Sequence, residues 1–229
     1  MVCGLVAMLA AACAASPVRG QPDVIVAASP QRTIDAGPAA ITVDRFGLHA
    51  EGVVDLARDA VRLTVDEVSG PDLEVLAVAE RTWTRPLGDS TWIPVTSEVD
   101  LLSLPGGLRS GDPRAAVALV RGASRVRVFG GLQVQQTSTV RYDLRVDPQA
   151  AAAQAPPGAR AELAGLAAAV DHTVRVDIYV DGVGRIRRLE VPEDLRSVTP
   201  TTRVDGNRIS ATIDFIRFGV EATGLDPPP

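Results

Sequence analysis

The sequence predicts an α+β domain built on one strongly coiled antiparallel sheet of about nine to eleven strands, with two or three helices on its concave side. Three observations carry this expectation. Segment after segment alternates apolar and polar residues at period two, with turn residues between them. The helical stretches fall irregularly between these segments, whereas a βαβ fold would space them regularly and make its strands continuously apolar. Finally, the even-numbered positions from Leu132 to Val146 keep one phase, and a single strand of that length would run on the order of 50 Å. Such a strand must twist and coil.

The chain opens with GLVAMLAAACAAS, an apolar run too short to span a bilayer, which ends in small residues and Cys13. It reads as a lipoprotein signal over residues 1–12, with Cys13 as the lipid-bearing first residue of the mature chain; simple secretion is the alternative. Residues 13–40 are rich in Ala, Ser and Pro and read as a tether. Within it, DVIVAASPQRTIDAG suggests a short helix that Pro30 would interrupt.

From residue 41 to 229 a single domain is expected. AITVDRF, HAEGVVDL, AVRLTVDEV, DLEVLAVAERTWTR and STWIPV follow one another as a meander, with Trp83 and Trp92 near turns as caps of the core. SGDPRAAVALVRGAS then carries a complete helix signature: Asp112 to cap the N-terminus, Pro113 in the first turn, Gly122 at the C-terminus, and Ala116, Leu119 and Val120 as an apolar stripe. SRVRVF and a Gly130-Gly131 pair lead into LQVQQTSTVRYDLRVD, the long strand. Residues 148–170 form two alanine-rich helical pieces split by PPG at 156–158, the second with Leu163, Leu166 and Val170 on one side. TVRVDIYVDGVGRIRRLEV is a hairpin around Asp181-Gly182. Its Val174, Val176, Ile178 and Val180 share a face, and Leu189 and Val191 return on the other arm. After a second Asp-Gly turn at 205–206, Ile209, Ala211, Ile213 and Phe215 alternate in a last strand, and the tail GLDPPP is expected to be loose.

Composition narrows the chemistry. All 23 basic residues of the 229 are arginine, so Schiff-base, P-loop-lysine and lysine-base chemistry are excluded. The net charge of −5 and 3% aromatic content argue against a nucleic-acid partner, which needs a basic field and stacking rings. The two cysteines, Cys3 and Cys13, both lie at the N-terminus, leaving no thiolate metal site or disulfide for the body of the chain. His49 and His172 each stand alone in strand patterns, and no nucleophile elbow or zinc-protease motif occurs. His49-Ala50-Glu51 resembles half of a zinc-deaminase signature whose cysteine half is missing. Gly182-Val183-Gly184 joins two strands, a context wrong for a dinucleotide loop. Asp177, Asp181, Asp205 and Asp214 read as a solvated sheet face. The groups Arg185, Arg187, Arg188 and Arg125, Arg127 are either solubilising positions of that face or contacts for anionic head groups. No catalytic set and no cofactor is expected.

This order of elements resembles the LolA-like lipoproteins of actinobacteria, the LppX, LprA, LprF and LprG group. The segments that carry the resemblance are the lipobox-like start, EGVVDLARDAVRLTV, SGDPRAAVALVRG, SRVRVFGGLQVQQTSTVRYDLRVD, VDIYVDGVGRIRRLEV and ATIDFIRFGVEATGLDPP. The resemblance implies a half-open, highly curved sheet closed by helices around a hydrophobic cavity, and a non-enzymatic carrier of acylated lipids or glycolipids across the cell envelope. On that reading Leu132, Val134, Val140, Tyr142, Leu144, Val174, Val176 and Ile178 line the cavity from the sheet, and Leu119 and Val120 cover it from the helix. The protein would be a monomer on the outer face of the cell membrane, anchored through Cys13. The alternative is an envelope lipoprotein without cargo that binds a protein partner or assists a sensor.

Overall fold

A computed structural model describes residues 20–45, 48–66, 72–95, 112–170, 172–192 and 209–228. The expectations placed on Cys3, Cys13 and the Asp205-Gly206 turn lie outside these residues. Eleven strands form one sheet, β1 (Ala39–Arg45), β2 (Leu48–Asp55), β3 (Ala60–Asp66), β4 (Leu73–Val78), β5 (Arg81–Pro86), β6 (Ile93–Pro94), β7 (Ala123–Val134), β8 (Thr137–Val146), β9 (Val174–Asp181), β10 (Ile186–Pro192) and β11 (Ile209–Phe218). Their order is β6-β5-β4-β3-β2-β1-β11-β10-β9-β8-β7, antiparallel throughout. Two meanders are therefore sewn together by one non-local seam, β1 on β11, with Ile41 opposite Phe215 and Val43 opposite Ile213. The sheet is not closed, and β6 and β7 are its edges.

Four helices join it: α1 (Pro22–Asp35), α2 (Pro113–Leu119), α3 (Pro148–Ala153) and α4 (Pro157–Ala169). Their contacts show the curvature. Helix α2 touches both β3 and β10, which lie four strand spacings apart, about 19 Å across a flat sheet. A seven-residue helix is about 10 Å in length and in diameter, so it meets both only because the sheet wraps around it. Helix α1 likewise reaches β7 and β10.

Alternation sets which face is lined. Ile41, Val43, Ala50, Val54, Val61, Leu63, Val75 and Ala77 from the first meander join Tyr142, Leu144, Val146, Val176, Ile178, Leu189, Ile213 and Phe215 from the second in one buried cluster with the helices. The opposite, convex face carries a smaller cluster of Ala60, Leu76 and Leu225, packed by Val53, Trp83 and Trp92. The tryptophans thus cover this outer cluster. The tail is not loose: Leu225 is fully buried in the same cluster, and Asp226 pairs with Arg58 at 2.5 Å.

Two further expectations are corrected. Helix α1 runs straight through Pro30, which is buried inside it. Proline removes the N–H that would bond to the carbonyl four residues back, and the Ser29 hydroxyl supplies the missing donor to Val26 O at 2.8 Å. Thr33 adds a second tie, donating to Ser29 O and accepting from Ile186 N of the sheet.

The long strand is in fact a hairpin. Gln135 and Gln136 take left-handed φ values of 46° and 62°, the pair of positive φ angles that a two-residue hairpin turn requires. Val134 faces Thr137 across it. The Gly130-Gly131 pair is no turn; between Val128 and Gly131 strand β7 spends one residue more than β8, which is a β-bulge, with Gly130 at φ +86°.

Candidate functional site

The face able to hold an apolar ligand is the concave one, and its composition follows from strand parity. On β8 and β9 the even positions point to the helices: Leu144, Val146, Val176 and Ile178 are wholly buried, Tyr142 nearly so, and Val140 and Val174 pack against them at the margin. Burial pushes the Tyr142 phenol up from its usual range. From the helical side come residues of a different kind. Every residue of α2 is buried, including Ala115, Ala116 and Ala118 with Leu119, and Val120 follows in a 3₁₀ turn; the single apolar stripe expected for this helix is in fact an all-round buried surface. Helices α3 and α4 add Ala151, Ala159, Leu163 and Leu166. The buried helical residues thus mix small side chains, Ala115, Ala116, Ala118, Ala151 and Ala159, with larger ones, Ile25, Val26, Val117, Leu119, Leu163 and Leu166.

Of the ten predicted lining residues, eight come together here: Leu119, Val120, Val140, Tyr142, Leu144, Val174, Val176 and Ile178. Val134 is buried but lies outside this cluster. Leu132 is corrected outright: it pairs with Thr139, which belongs to the opposite face of β8, and is 48% exposed. The two-residue turn at Gln135-Gln136 is the reason, because it sets Val134 opposite Thr137 and Leu132 opposite Thr139, so the even positions of β7 beside the turn share the face of the odd positions of β8.

One charged side chain enters the layer. Arg114 of α2 is 5% exposed and makes a fork to Asp112 (2.7 and 3.1 Å), while its Nη1 donates to the carbonyls of Asp59 and Ala79 at 3.0 Å each. Asp59, in turn, accepts from Gly158 N at 2.7 Å. Burial opposes the Arg114 charge, but Asp112 and Asp59 outweigh it and hold the guanidinium above its usual range. This hub ties the N-termini of α2 and α4 to the β2–β3 and β4–β5 turns. Gly158 is required there, since a Cβ would lie 2.5 Å from Ala79 O and 2.6 Å from Arg114 Nη1.

Two clefts meet at the hub. One, of about 100 Å³, runs between Val61, Leu63, Val75 and Ala77 of the sheet and Pro113 and Ala161 of the helices; the other, of about 230 Å³, lies among Ile34, Leu56, Val117, Ala118 and Ala155. Arg114 lines both. A third, open hollow of about 560 Å³ at the α3 and α4 ends is lined by Asp147, Gln149, Val170 and His172.

The convex face has its own order, which the sequence reading took for a solvated surface. Arg188 forks onto Asp214 at 2.6 and 2.7 Å, the Tyr179 hydroxyl donates to Glu190 at 3.0 Å, Arg141 binds Asp177 at 2.6 Å and Arg175 binds Asp143 at 2.8 Å. Burial, then Glu190, pushes the Tyr179 phenol up to about 12. At the β9–β10 turn Arg185 and Arg187 both hold Asp181 at 2.9 Å. Burial opposes the Asp181 charge most, but the Arg185 N–H and the two guanidiniums keep its carboxyl below the usual range. The basic cluster at 185–188 is thus neutralised internally. Among the described residues no group of three or more His, Cys, Asp or Glu is placed to hold a metal ion, and no helix is long and apolar enough to cross a membrane.

No protein-family model and no curated protein matches the sequence. Solved structures do. LprF from Mycobacterium bovis is similar with a TM-score of 0.51 at 13% identity, covering 91% of this chain and 97% of that one. The lipoprotein LppX from Mycobacterium tuberculosis gives 0.46 at 10%, covering 83% and 92%, and a LolA-superfamily protein from Nitrosomonas europaea 0.29 at 9%, covering 92% and 96%. The likeness to LprF runs over nearly the whole of both chains, and with the open eleven-stranded sheet and its concave helices it shows that this chain has the fold of LprF.

Proposed function

We propose that the protein is a non-enzymatic lipid carrier of the cell envelope, anchored through a lipidated Cys13, which takes the acyl chains of a lipid or glycolipid between the sheet and its helical layer. The observation that carries this reading is the character of that interface: an aliphatic concave face covered by apolar helix surfaces, with two clefts divided by one arginine. Each cleft is smaller than the roughly 300–1,000 Å³ of ordinary ligand pockets, so a cargo is admitted by displacement of α2 and α4 from the sheet. Each methylene of the ligand buried there contributes about 0.8 kcal/mol, which offsets the loss of helix contacts.

A second reading, an envelope lipoprotein that binds a protein partner and carries no lipid, is favoured by the filled region over β8 to β11, where Leu144, Val176, Ile178 and Ile213 have no exposed surface. One experiment separates the two. The protein is expressed in a lipid-rich actinobacterial host, purified without detergent and analysed by native mass spectrometry and lipid extraction. The carrier reading expects co-purifying acylated species, and their loss in a folded Ala77→Phe variant, whose ring fills the cleft under α4. Lipid-free recovery of the wild-type protein overturns it in favour of the second reading.

A further inference from the structure

Edge strand β7 presents an unusual sequence of side chains to solvent. Register places Arg125 opposite Arg145 and Arg127 opposite Asp143, all on the convex face. Beyond them Phe129 lies under the Arg141 guanidinium of the same face, 5.3 Å from ring centroid to Cζ, and Leu132, opposite Thr139, faces outward as well. The convex side of β7 therefore reads Arg125, Arg127, Phe129, Leu132. Both arginines are exposed, and the two apolar residues are 55% and 48% exposed.

The charges here are uncompensated. Among the described residues no carboxylate pairs with Arg125, Arg127 or Arg145. The nearest candidate, Asp143, is committed to Arg175 at 2.8 Å, and Arg145 stands in register between Arg125 and Arg175, a row of like charges that costs stability unless something anionic lies across it. Elsewhere on the convex face many arginines are spent, Arg62 and Arg85 on Glu74, Arg185 and Arg187 on Asp181, Arg188 on Asp214, while Arg81 and Arg217 are single exposed charges with no like-charged arginine opposite them. In a chain of net charge −5, this edge is a local reversal of sign.

Arginine and a bulge on an edge strand discourage pairing with another strand, but that purpose does not call for Phe129 and Leu132 exposed beside them. Cations adjoining an aromatic and aliphatic tip are what the surface of an anionic bilayer recognises: the guanidiniums meet head-group phosphates while the apolar side chains enter the interface. We infer that the convex rim of β7, formed by Arg125, Arg127, Arg145, Phe129 and Leu132, docks on the surface of a membrane rich in anionic lipid. The rim lies on the face opposite the concave interior, so this inference stands whether or not the interior takes a cargo.

The test is co-sedimentation of the full chain carrying Cys13→Ser, which removes acylation, with vesicles of phosphatidylcholine and 30 mol% phosphatidylglycerol. Vesicles of phosphatidylcholine alone report whatever the apolar N-terminus contributes. The expected result is a preference for the anionic vesicles that falls as salt is raised. Arg125→Gln/Arg127→Gln should weaken that preference roughly thirtyfold, about fivefold per arginine, and Phe129→Ser/Leu132→Ser should weaken binding to the anionic vesicles several-fold. Circular dichroism verifies that the variants fold. Equal binding to both vesicle types, or binding indifferent to the arginine substitutions, overturns the proposal. So does a concentration-dependent dimer that Phe129→Ser/Leu132→Ser abolishes, which would assign the rim to a second copy of the chain.

Discussion

Single residues decide whether the helical layer can form where it does. Ser29 is the clearest case, because Pro30 leaves Val26 O without its helical donor and the Ser29 hydroxyl, fully buried, takes that place. Removing the hydroxyl leaves a buried carbonyl unpaired at about 1–3 kcal/mol. Ser29→Ala should therefore lower the unfolding free energy by that amount, read as a lower urea midpoint with the slope unchanged, whereas the same substitution at the exposed Ser138 should leave the midpoint where it is. A rise or no change at Ser29→Ala would mean that the helix bends enough at Pro30 to satisfy the carbonyl with water. The sequence shows Pro30 and so suggests an interrupted helix; it does not show that the residue before the proline carries the compensating donor. The Asp112 cap of α2 was legible because its whole pattern, Asp then Pro, is local, and Asp112 indeed accepts from Arg114 N at 2.8 Å.

At the scale of elements, alternation was a sound guide wherever a strand stayed in phase. The faces of β9, β11 and most of β8 follow directly from period two, as do the turn at Asp181-Gly182 and the break between α3 and α4. It misled at β7–β8 because the chain reverses at Gln135-Gln136, where a two-residue turn sets even positions of β7 opposite odd positions of β8. The bulge at Phe129-Gly130 shifts parity by one, and the turn at Gln135-Gln136 uses residues without the usual signature of asparagine or glycine. That turn is consequently improvable. A non-glycine residue at φ 62° bears a steric cost of about 1–2 kcal/mol, and glycine would relieve it at some loss from greater freedom in the unfolded chain. Gln136→Gly should raise stability by about 0.5–1 kcal/mol, measured as an increase in Tm. Gln135 is the poorer place for the change because its amide reaches Asp214 at 3.4 Å. A lower Tm for Gln136→Gly would show that the side chain makes a contribution beyond the turn.

The whole molecule is a sheet with two free edges and a helical layer laid on one side, and the consequence is that layer and sheet need not open together. The apolar contribution over β8 to β11 is dense, while at the β3–β4 end the layer is also tied to the sheet turns by Arg114, held by Asp112, to the carbonyls of Asp59 and Ala79 and by Gly158 N to Asp59. None of this hub was readable in the sequence, because Asp59, Ala79, Arg114 and Gly158 are brought together only by folding. Breaking one partner of a buried charged cluster costs about 3–5 kcal/mol, since the remaining charges stay buried. If the layer opens as a unit, Arg114→Met places most of that cost on local opening. Hydrogen exchange followed by mass spectrometry should then accelerate about a hundredfold or more in α2 and α4, with the peptides of β8 to β10 remaining the slowest in the molecule. Equal acceleration throughout would mean that helices and sheet unfold as one cooperative body, and a cargo could not enter between them without unfolding the protein.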